Sequence, residues 1–277
     1  ATRPARVALL ADHLDAVGAT SSPVALTHRH VEGLTDLVAE VESTEPVLDH
    51  HGLGDLHQTV WRVGGDRAGR LAGLFAGVPT YITDGHHRMG AAAEWARRHG
   101  LAADDPRARV MVELFPDDQL RIEAFHRYVS DLGGHHVSDL LAALAPAFEV
   151  EADDGAEPAH GRFVLLVAGH RYRLTPREPV VGSALDRLDV SVLQHRLLAP
   201  VLGIDDPGTD TRLLALPGAT GRHEVETRVA ERGGLGVLLA PMRVGDLLDV
   251  ADAGQSMPPK SSYLTPKPRS GVFLVER

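Results

Sequence analysis

The sequence predicts an α+β protein that contains a mixed sheet with surrounding helices. Helical and strand patterns alternate along the 277 residues, but without the regular strand–helix–strand order of a doubly wound sheet. Apolar residues make up 43% and charged residues 24% of the chain, which is ordinary for a soluble globular protein. This length suits one large domain or two modest domains, each with ample core.

Helices in the first half are predicted from apolar residues that return every three or four positions. In the first of them, Val7, Leu10 and Leu14 share one face, and Pro23 follows its end. Gly100 is well suited to end the fourth helix. The predicted helices of this half span residues 5–17, 30–41, 66–76 and 87–99.

Strands in the first half are predicted from short apolar runs and alternating patterns between these helices. The Gly-rich segment Gly52-Leu53-Gly54-Asp55 is typical of a hairpin turn, and Pro116-Asp117-Asp118 is typical of a turn between two further strands. The predicted strands span residues 23–26, 47–49, 59–63, 78–83, 109–115 and 121–125.

A weak domain boundary is predicted near Gly133-Gly134, where a strand-rich stretch gives way to a helix-rich stretch. We therefore expect a core of residues 1–130 and a C-terminal α/β portion of residues 131–277. The polar stretch 151–161 predicts a loop or a hairpin edge. The predicted elements of this half are helices at 137–147, 190–202, 222–232 and 244–251, and strands at 163–167, 171–174, 213–216, 236–239 and 272–275.

Composition excludes several classes of function. A net charge of −10 disfavours general binding to nucleic acid, although a local basic pocket stays open. The chain has no cysteine, which excludes thiolate metal sites and a cysteine nucleophile and fits a cytoplasmic protein. No apolar run approaches the roughly 20 residues of a membrane span. The chain begins without methionine, as a processed protein or a fragment does.

The segment Asp84-Gly85-His86-His87-Arg88 stands between an apolar strand and an Ala-rich helix. The first turn of a helix leaves backbone N–H groups without helical acceptors, and the helix dipole favours an anion there. Gly85 lets a ligand approach the backbone, and Arg88 offers a planar fork suited to phosphate oxygens. His86 and His87 add hydrogen-bond donors, and the Asp84 carboxylate suits magnesium or a hydroxyl proton. We predict that this segment binds a phosphate-bearing ligand.

An ordinary helix cap without a ligand is the alternative interpretation, because Asp-Gly often precedes a helix. The concentration of polar residues in residues 84–88 favours a site. His126-Arg127 ends a predicted strand, where binding residues often lie, and a plain surface strand end is equally compatible with it.

Lys260 and Lys267 stand out in a chain whose cations are mostly arginine. Pro258-Pro259 stiffens the loop before Lys260. One interpretation is a lysine that reaches a nucleotide phosphate, with Ser261 and Ser262 as donors. The other is a solvated tail.

Three segments resemble a family long labelled as a domain of unknown function, some of whose members are ATP-dependent free serine kinases. Residues 81–88 (Tyr-Ile-Thr-Asp-Gly-His-His-Arg) are similar to its first signature. Residues 257–271, which include Pro-Lys-Ser-Ser-Tyr, are similar to its second, and residues 188–195 (Leu-Asp-Val-Ser-Val-Leu-Gln-His) to a segment between them. The resemblance covers nearly the whole chain.

The Asp-Gly-His-x-Arg turn is also similar to the phosphate-binding turn of the ParB and sulfiredoxin-like nucleotide-binding fold, with Gly85 and Arg88 at the matching positions. The two resemblances imply a nucleotide-binding core and a C-terminal tail that returns to the site. They imply ATP and Mg²⁺ as cofactors, Asp84, His87 and Lys260 as catalytic residues, and Asp84 as the metal ligand. The implied phosphate- or nucleotide-binding residues are Gly85, His86, Arg88, Ser261, Lys267, His126 and Arg127.

We therefore expect a nucleotide-dependent small-molecule kinase that phosphorylates a hydroxyl such as that of free L-serine. Family members carry a His-Glu pair before the segment matched by residues 5–17, and phosphoryl transfer is expected to require it. A nucleotide-binding regulatory module without catalysis is the alternative. A metal-dependent hydrolase built on His86, His87 and His126 is a third interpretation. A homodimer is left open.

Overall fold

The computed structural model describes residues 3–52, 57–153 and 155–276. Its contacts divide the chain into two compact units. Among the described residues, the N-terminal unit comprises residues 4–117 together with 268–276, and the C-terminal unit comprises residues 118–267 and Arg3. This division lies between residues 117 and 118, whereas the glycine pair led us to expect it near residue 130.

The N-terminal unit contains four α-helices and seven strands in the part of the chain that the structure describes. The helices are α1 (Pro4–Val17), α2 (Leu34–Glu42), α3 (Gly65–Leu74) and α4 (His86–Arg98). The strands are β1 (Ala19–Thr20), β2 (Val24–His28), β3 (Leu48–His51), β4 (His57–Val60), β5 (Tyr81–Asp84), β6 (Val112–Pro116) and, at the C-terminal end, β15 (Val275–Glu276).

The described residues of the C-terminal unit form five α-helices and eight strands. The helices are α5 (Val137–Leu144), α6 (Asp189–Leu193), α7 (Ala199–Leu202), α8 (Gly218–Arg232) and α9 (Val244–Asp252). The strands are β7 (Arg121–Glu123), β8 (Phe125–Val129), β9 (Phe148–Ala152), β10 (Phe163–Val167), β11 (His170–Pro176), β12 (Leu213–Pro217), β13 (Leu235–Leu238) and β14 (Tyr263–Thr265).

A three-stranded mixed sheet organises the N-terminal unit. Its order is β5-β2-β6, with β5 antiparallel and β6 parallel to β2. Helices α1 and α4 pack against each other through a cluster that includes Ala11, Ala91 and Trp95. The indole Nε1 of Trp95 donates a hydrogen bond to Asp15 Oδ1 at 2.7 Å, so a polar contact also joins the two helices.

A six-stranded antiparallel sheet organises the C-terminal unit in the order β12-β8-β13-β10-β11-β9. Strand β10 is buried at all five positions. Because side chains alternate along a strand, Phe163, Leu165 and Val167 enter one core cluster, together with apolar residues of α5, α6 and α7. Val164 and Leu166 enter a second cluster with apolar residues of α8. The sheet therefore has helices on both faces.

These sheets and helices confirm the predicted α+β class and most of the predicted elements. Strands β3 and β4 pair as the predicted hairpin, and residues 53–56 of its turn lie outside the described part of the chain. Of the two alternatives for the stretch from residue 151, a loop or a hairpin edge, its first two residues fit the edge, because β9 reaches Ala152 as the edge strand. An edge strand with one exposed face carries few apolar residues, so its pattern is weak.

Most predicted elements also differ from the structure in their bounds by a few residues, and three are divided, interrupted or reduced. The strand predicted at 121–125 is two strands, β7 and β8, interrupted at Ala124. The helix predicted at 190–202 contains a π-helical turn at Gln194–Leu198 between α6 and α7. The strand predicted at 272–275 is reduced to β15, which pairs with β1. In the described residues, no helix is both long and apolar enough to span a membrane.

Replacement of Phe148 by alanine is expected to lower the free energy of unfolding by about 3–5 kcal/mol, because the side chain is fully buried. Its ring lies edge-on to that of Phe163, with 6.0 Å between the ring centroids, so a cavity would form against a fixed neighbour. Urea unfolding followed by circular dichroism measures the change. Phe273→Ala is the control, because Phe273 is 51% exposed, and it should cost at most about 0.5 kcal/mol. Equal losses in the two variants would contradict this account of the core.

Candidate functional site

The predicted segment at residues 84–88 forms the turn from β5 into α4. Strand β5 ends at Asp84, and α4 begins at His86. Gly85 joins them with φ +92° and ψ 23°, in the left-handed region that other residues rarely adopt. The glycine is therefore what allows the chain to pass from strand to helix in a single residue.

Gly85 also leaves the space that the Arg88 guanidinium occupies. A Cβ atom placed on Gly85 would lie 2.9 Å from both Nε and Nη2 of Arg88. The guanidinium lies over the turn, and its Nη2 donates to Asp84 Oδ2 at 2.8 Å. The side chain of Arg88 is 28% exposed and that of Asp84 is 43% exposed, so both groups can reach a ligand from solvent.

The start of α4 has the electrostatics of an anion site. Gly85, the residue before the helix, has no side chain that could cap it, and the first turn of α4 contains no acidic residue. The N–H groups of a first helical turn point along the helix axis towards a ligand, and they and the positive end of the helix dipole both favour a phosphate. His86 and His87 are the first two residues of this turn, and the backbone N–H of Met89 closes it on the carbonyl of Gly85 at 2.9 Å.

Arg88 lines a cavity of about 260 Å³ in the N-terminal unit. Most of the other lining residues are apolar, and they include Leu10, Val24 and Ala92. His13 and Ser22 supply polar groups. A cationic fork at the edge of an apolar cavity suits a ligand that has both a phosphate and an apolar portion.

Glu113 is a candidate residue that the sequence analysis missed. In the mixed sheet, Ala25 of β2 is paired with Asp84 on one side and with Glu113 of β6 on the other. Residues in register share a face, so the two carboxyl groups stand on one face, with Cα atoms two strand spacings apart, roughly 10 Å. Burial raises the pKa of Glu113, and a hydrogen bond from the backbone of Arg269 opposes this shift. The sequence signal that could have identified Glu113 was an acidic residue between two apolar residues, Val112 and Leu114, in a short strand.

The remaining predicted site residues lie in the C-terminal unit. Arg127 is 4% exposed, and its guanidinium donates to the backbone carbonyls of Phe125 at 3.0 Å and Lys260 at 3.2 Å. Burial lowers its pKa to about 10, so the group remains a cation at neutral pH. The structure thus brings Arg127 and Lys260 together, with the arginine holding the backbone of the lysine segment.

His126 and Arg127 lie within β8, so the prediction that they end a strand was wrong. His126 is 5% exposed, and its Nδ1 accepts a hydrogen bond from the backbone N–H of Leu239 at 3.3 Å. Burial, with the nearby Arg222 and Arg127 cations, lowers the pKa of His126 to about 4. His126 is therefore a buried, neutral histidine whose observed hydrogen bond supports the sheet. A role for His126 in phosphate binding stays a prediction.

The segment around Lys260 is held by local contacts. Lys260 is exposed and has φ +52°, and Ser261 is buried, with its hydroxyl donating to the carbonyl of Pro258 at 2.6 Å. Strand β14 follows and pairs with β7. The Nζ atom of Lys267 lies 4.9 Å from the centre of the Tyr263 ring. The predicted site residues therefore form two groups, Asp84–Arg88 in one unit and the Arg127–Lys260 group in the other. That both groups act on one ligand stays a prediction.

The C-terminal unit also contains a cavity of about 240 Å³, lined by apolar and charged residues, that the sequence analysis did not predict. Asp189, the first residue of α6, is one of its lining residues, and its Oδ1 accepts a hydrogen bond from the backbone N–H of Gly161 at 2.9 Å. Burial raises the pKa of this carboxyl group. His160, Arg243 and Asp246 also line the cavity, which therefore presents both signs of charge.

His86 and His87 lie in the N-terminal unit and His126 lies in the C-terminal unit, so the hydrolase interpretation stays a prediction. Among the described residues, one group of three or more side chains has metal-ligand spacing, and it contains Asp49, His51 and His57. His86, His87, His126 and Asp84 are not part of it. Magnesium in nucleotide sites is often held by one or two carboxylates together with the phosphates, so it does not need a cluster of three protein ligands. Asp84 as a magnesium ligand stays a prediction.

Comparison with solved structures finds similar folds at low identity. A free serine kinase in complex with AMP is 12% identical, with a TM-score of 0.43, over 98% of this chain and 85% of that one. SbnI with a C-terminal truncation, from Staphylococcus aureus, is 10% identical, with a TM-score of 0.47, over 96% of this chain and 77% of that one. Values this low say nothing about what this chain binds.

No curated protein matches the sequence. A family described as "Protein of unknown function (DUF1015)" matches residues 1–191, which is more than half of the chain and includes the whole turn from β5 into α4. The chain therefore belongs to the DUF1015 family.

Proposed function

We propose that this protein binds a nucleotide at the turn from β5 into α4 and transfers its terminal phosphoryl group to a small hydroxyl-bearing substrate such as free L-serine. The observation that carries the proposal is the left-handed Gly85 with the Arg88 guanidinium folded over it at the start of a helix. The positive end of a helix dipole, a planar cation and a glycine with no side chain together favour a phosphate.

The base and sugar of the nucleotide would lie in a cavity of the same unit. Arg88 stands at the edge of the apolar cavity that Leu10 and Val24 line, and a base and sugar would lie there with the phosphates toward the helix start. His86 and His87 would donate to phosphate oxygens. The similarity of residues 81–88 to a signature of serine kinases supports the same assignment.

Catalysis in this proposal consists of positioning and charge stabilisation. The bond between the γ-phosphorus and the ADP oxygen breaks, a bond from the acceptor hydroxyl oxygen to that phosphorus forms, and the hydroxyl proton is accepted by a carboxylate. Asp84 would hold Mg²⁺ or orient the acceptor, and Glu113 offers a second carboxyl group on the same face of the sheet. Lys260 would neutralise charge on the transferring group, with Ser261 and Lys267 near it in sequence.

A nucleotide-binding regulatory module is the second candidate. It is favoured by the partly exposed ion pair between Arg88 and Asp84, because Arg88 could leave Asp84 and pair with a phosphate instead. Such binding needs no catalytic group. The two candidates share the binding site and differ only in turnover.

Replacement of Arg88 by alanine is expected to weaken ATP binding by about tenfold to hundredfold, because charge-assisted hydrogen bonds to the phosphates are lost. Isothermal titration calorimetry measures the affinity. Arg97→Ala is the matched control, since Arg97 lies on the same helix, is 72% exposed and pairs with Glu94. Wild-type affinity in the Arg88 variant would refute the site, and equal losses in both variants would point to damage to α4.

Incubation of the full-length protein with ATP, Mg²⁺ and L-serine is expected to yield phosphoserine and ADP. Asp84→Asn should slow this reaction by about a hundredfold or more, as loss of a proton acceptor or metal ligand does, while ATP still binds. Mass spectrometry quantifies phosphoserine. A wild-type protein that binds ATP without forming any product would exclude the kinase for serine and support the regulatory module.

A further inference from the structure

The hairpin of β3 and β4 carries a cluster of metal-ligating side chains that the proposed nucleotide site does not use. In its register, His51 is paired with His57, and Asp49 is paired with Thr59. Because Asp49 and His51 are two residues apart on one strand, all four side chains stand on the same face of the hairpin. His50 is paired with Gln58 and belongs to the opposite face.

The three ionisable side chains of this face converge. One ligand atom from each of Asp49, His51 and His57 lies within 4.8 Å of the other two. The imidazole rings of His51 and His57 are stacked, with 4.0 Å between centroids and 8° between planes. The Nε2 atom of His57 forms a short hydrogen bond with Asp49 Oδ1, and the hydroxyl of Thr59 lies 3.4 Å from the same nitrogen.

The His57 side chain is 48% exposed and that of Asp49 is 55% exposed, so an ion has direct access. A neutral imidazole and a carboxylate are the protonation states that metal ions require.

We propose that Asp49, His51 and His57 form a binding site for a divalent transition-metal ion, of which Zn²⁺ is the representative. Two imidazoles and one carboxylate are a common zinc donor set, and water completes the tetrahedron. Imidazole ligands select zinc, copper or nickel over magnesium, which takes oxygen ligands. The site lies wholly within the β3–β4 pair, where an ion would cross-link the two strands.

Titration of the full-length protein with Zn²⁺ alone, followed by calorimetry, tests the proposal. One-to-one saturable binding is expected, and His57→Ala or Asp49→Asn should weaken it by about tenfold or more, because loss of an outer-shell partner alone has an effect of that size. Mg²⁺ in place of Zn²⁺ should give no saturable heat in the absence of nucleotide.

His50→Ala is the matched control, because it removes an adjacent imidazole from the opposite face of β3, and it should leave the zinc affinity unchanged. These side chains are exposed, so the variants are expected to keep the circular dichroism spectrum of the wild type. The absence of saturable zinc binding would overturn the proposal. So would an unchanged affinity in His57→Ala, or a loss in His50→Ala equal to that in His57→Ala.

Discussion

The left-handed conformation of Gly85 is the constraint on which the proposed site depends. It ends β5, starts α4 and leaves the space that the Arg88 guanidinium occupies. Any side chain at this position would have to displace Arg88 and would also strain the backbone. The position of Arg88 in its ion pair with Asp84 therefore depends on one residue that lacks a side chain, and the same Arg88 lines the apolar cavity.

The turn could be predicted from the sequence because its determinants are local. An apolar run, a glycine and an Ala-rich helix within one segment specify strand, turn and helix without long-range information. The α+β class and the hairpin of β10 and β11 were predictable for the same reason, since turn residues and alternating apolar residues lie side by side in the chain. Local physics predicted a phosphate-bearing ligand at this turn. The resemblance of residues 81–88 to a family signature added the nucleotide and the kinase reaction.

Features that depend on strand pairing could not be predicted in this way. Glu113 stands level with Asp84 only because both flank Ala25, and neither the order β5-β2-β6 nor its register is written in any single segment. Arg127 was predicted to end a strand, either as a binding residue or as a plain surface residue, yet β12 and β13 pair on either side of β8 and bury it. The metal-ligating face of β3 and β4 was missed because His50-His51 gives no hint of which imidazole faces His57.

The contact between Trp95 and Asp15 has a practical consequence for spectroscopy. The chain has two tryptophans, Trp61 and Trp95, and both belong to the N-terminal unit, so intrinsic indole emission reports on that unit alone. The environment of Trp95 couples α1 to α4, the helix that begins at Gly85. Changes in the fluorescence of Trp95 therefore report on ligand binding or movement at α4. The C-terminal unit contains tyrosine but no tryptophan, so it adds nothing to the indole signal.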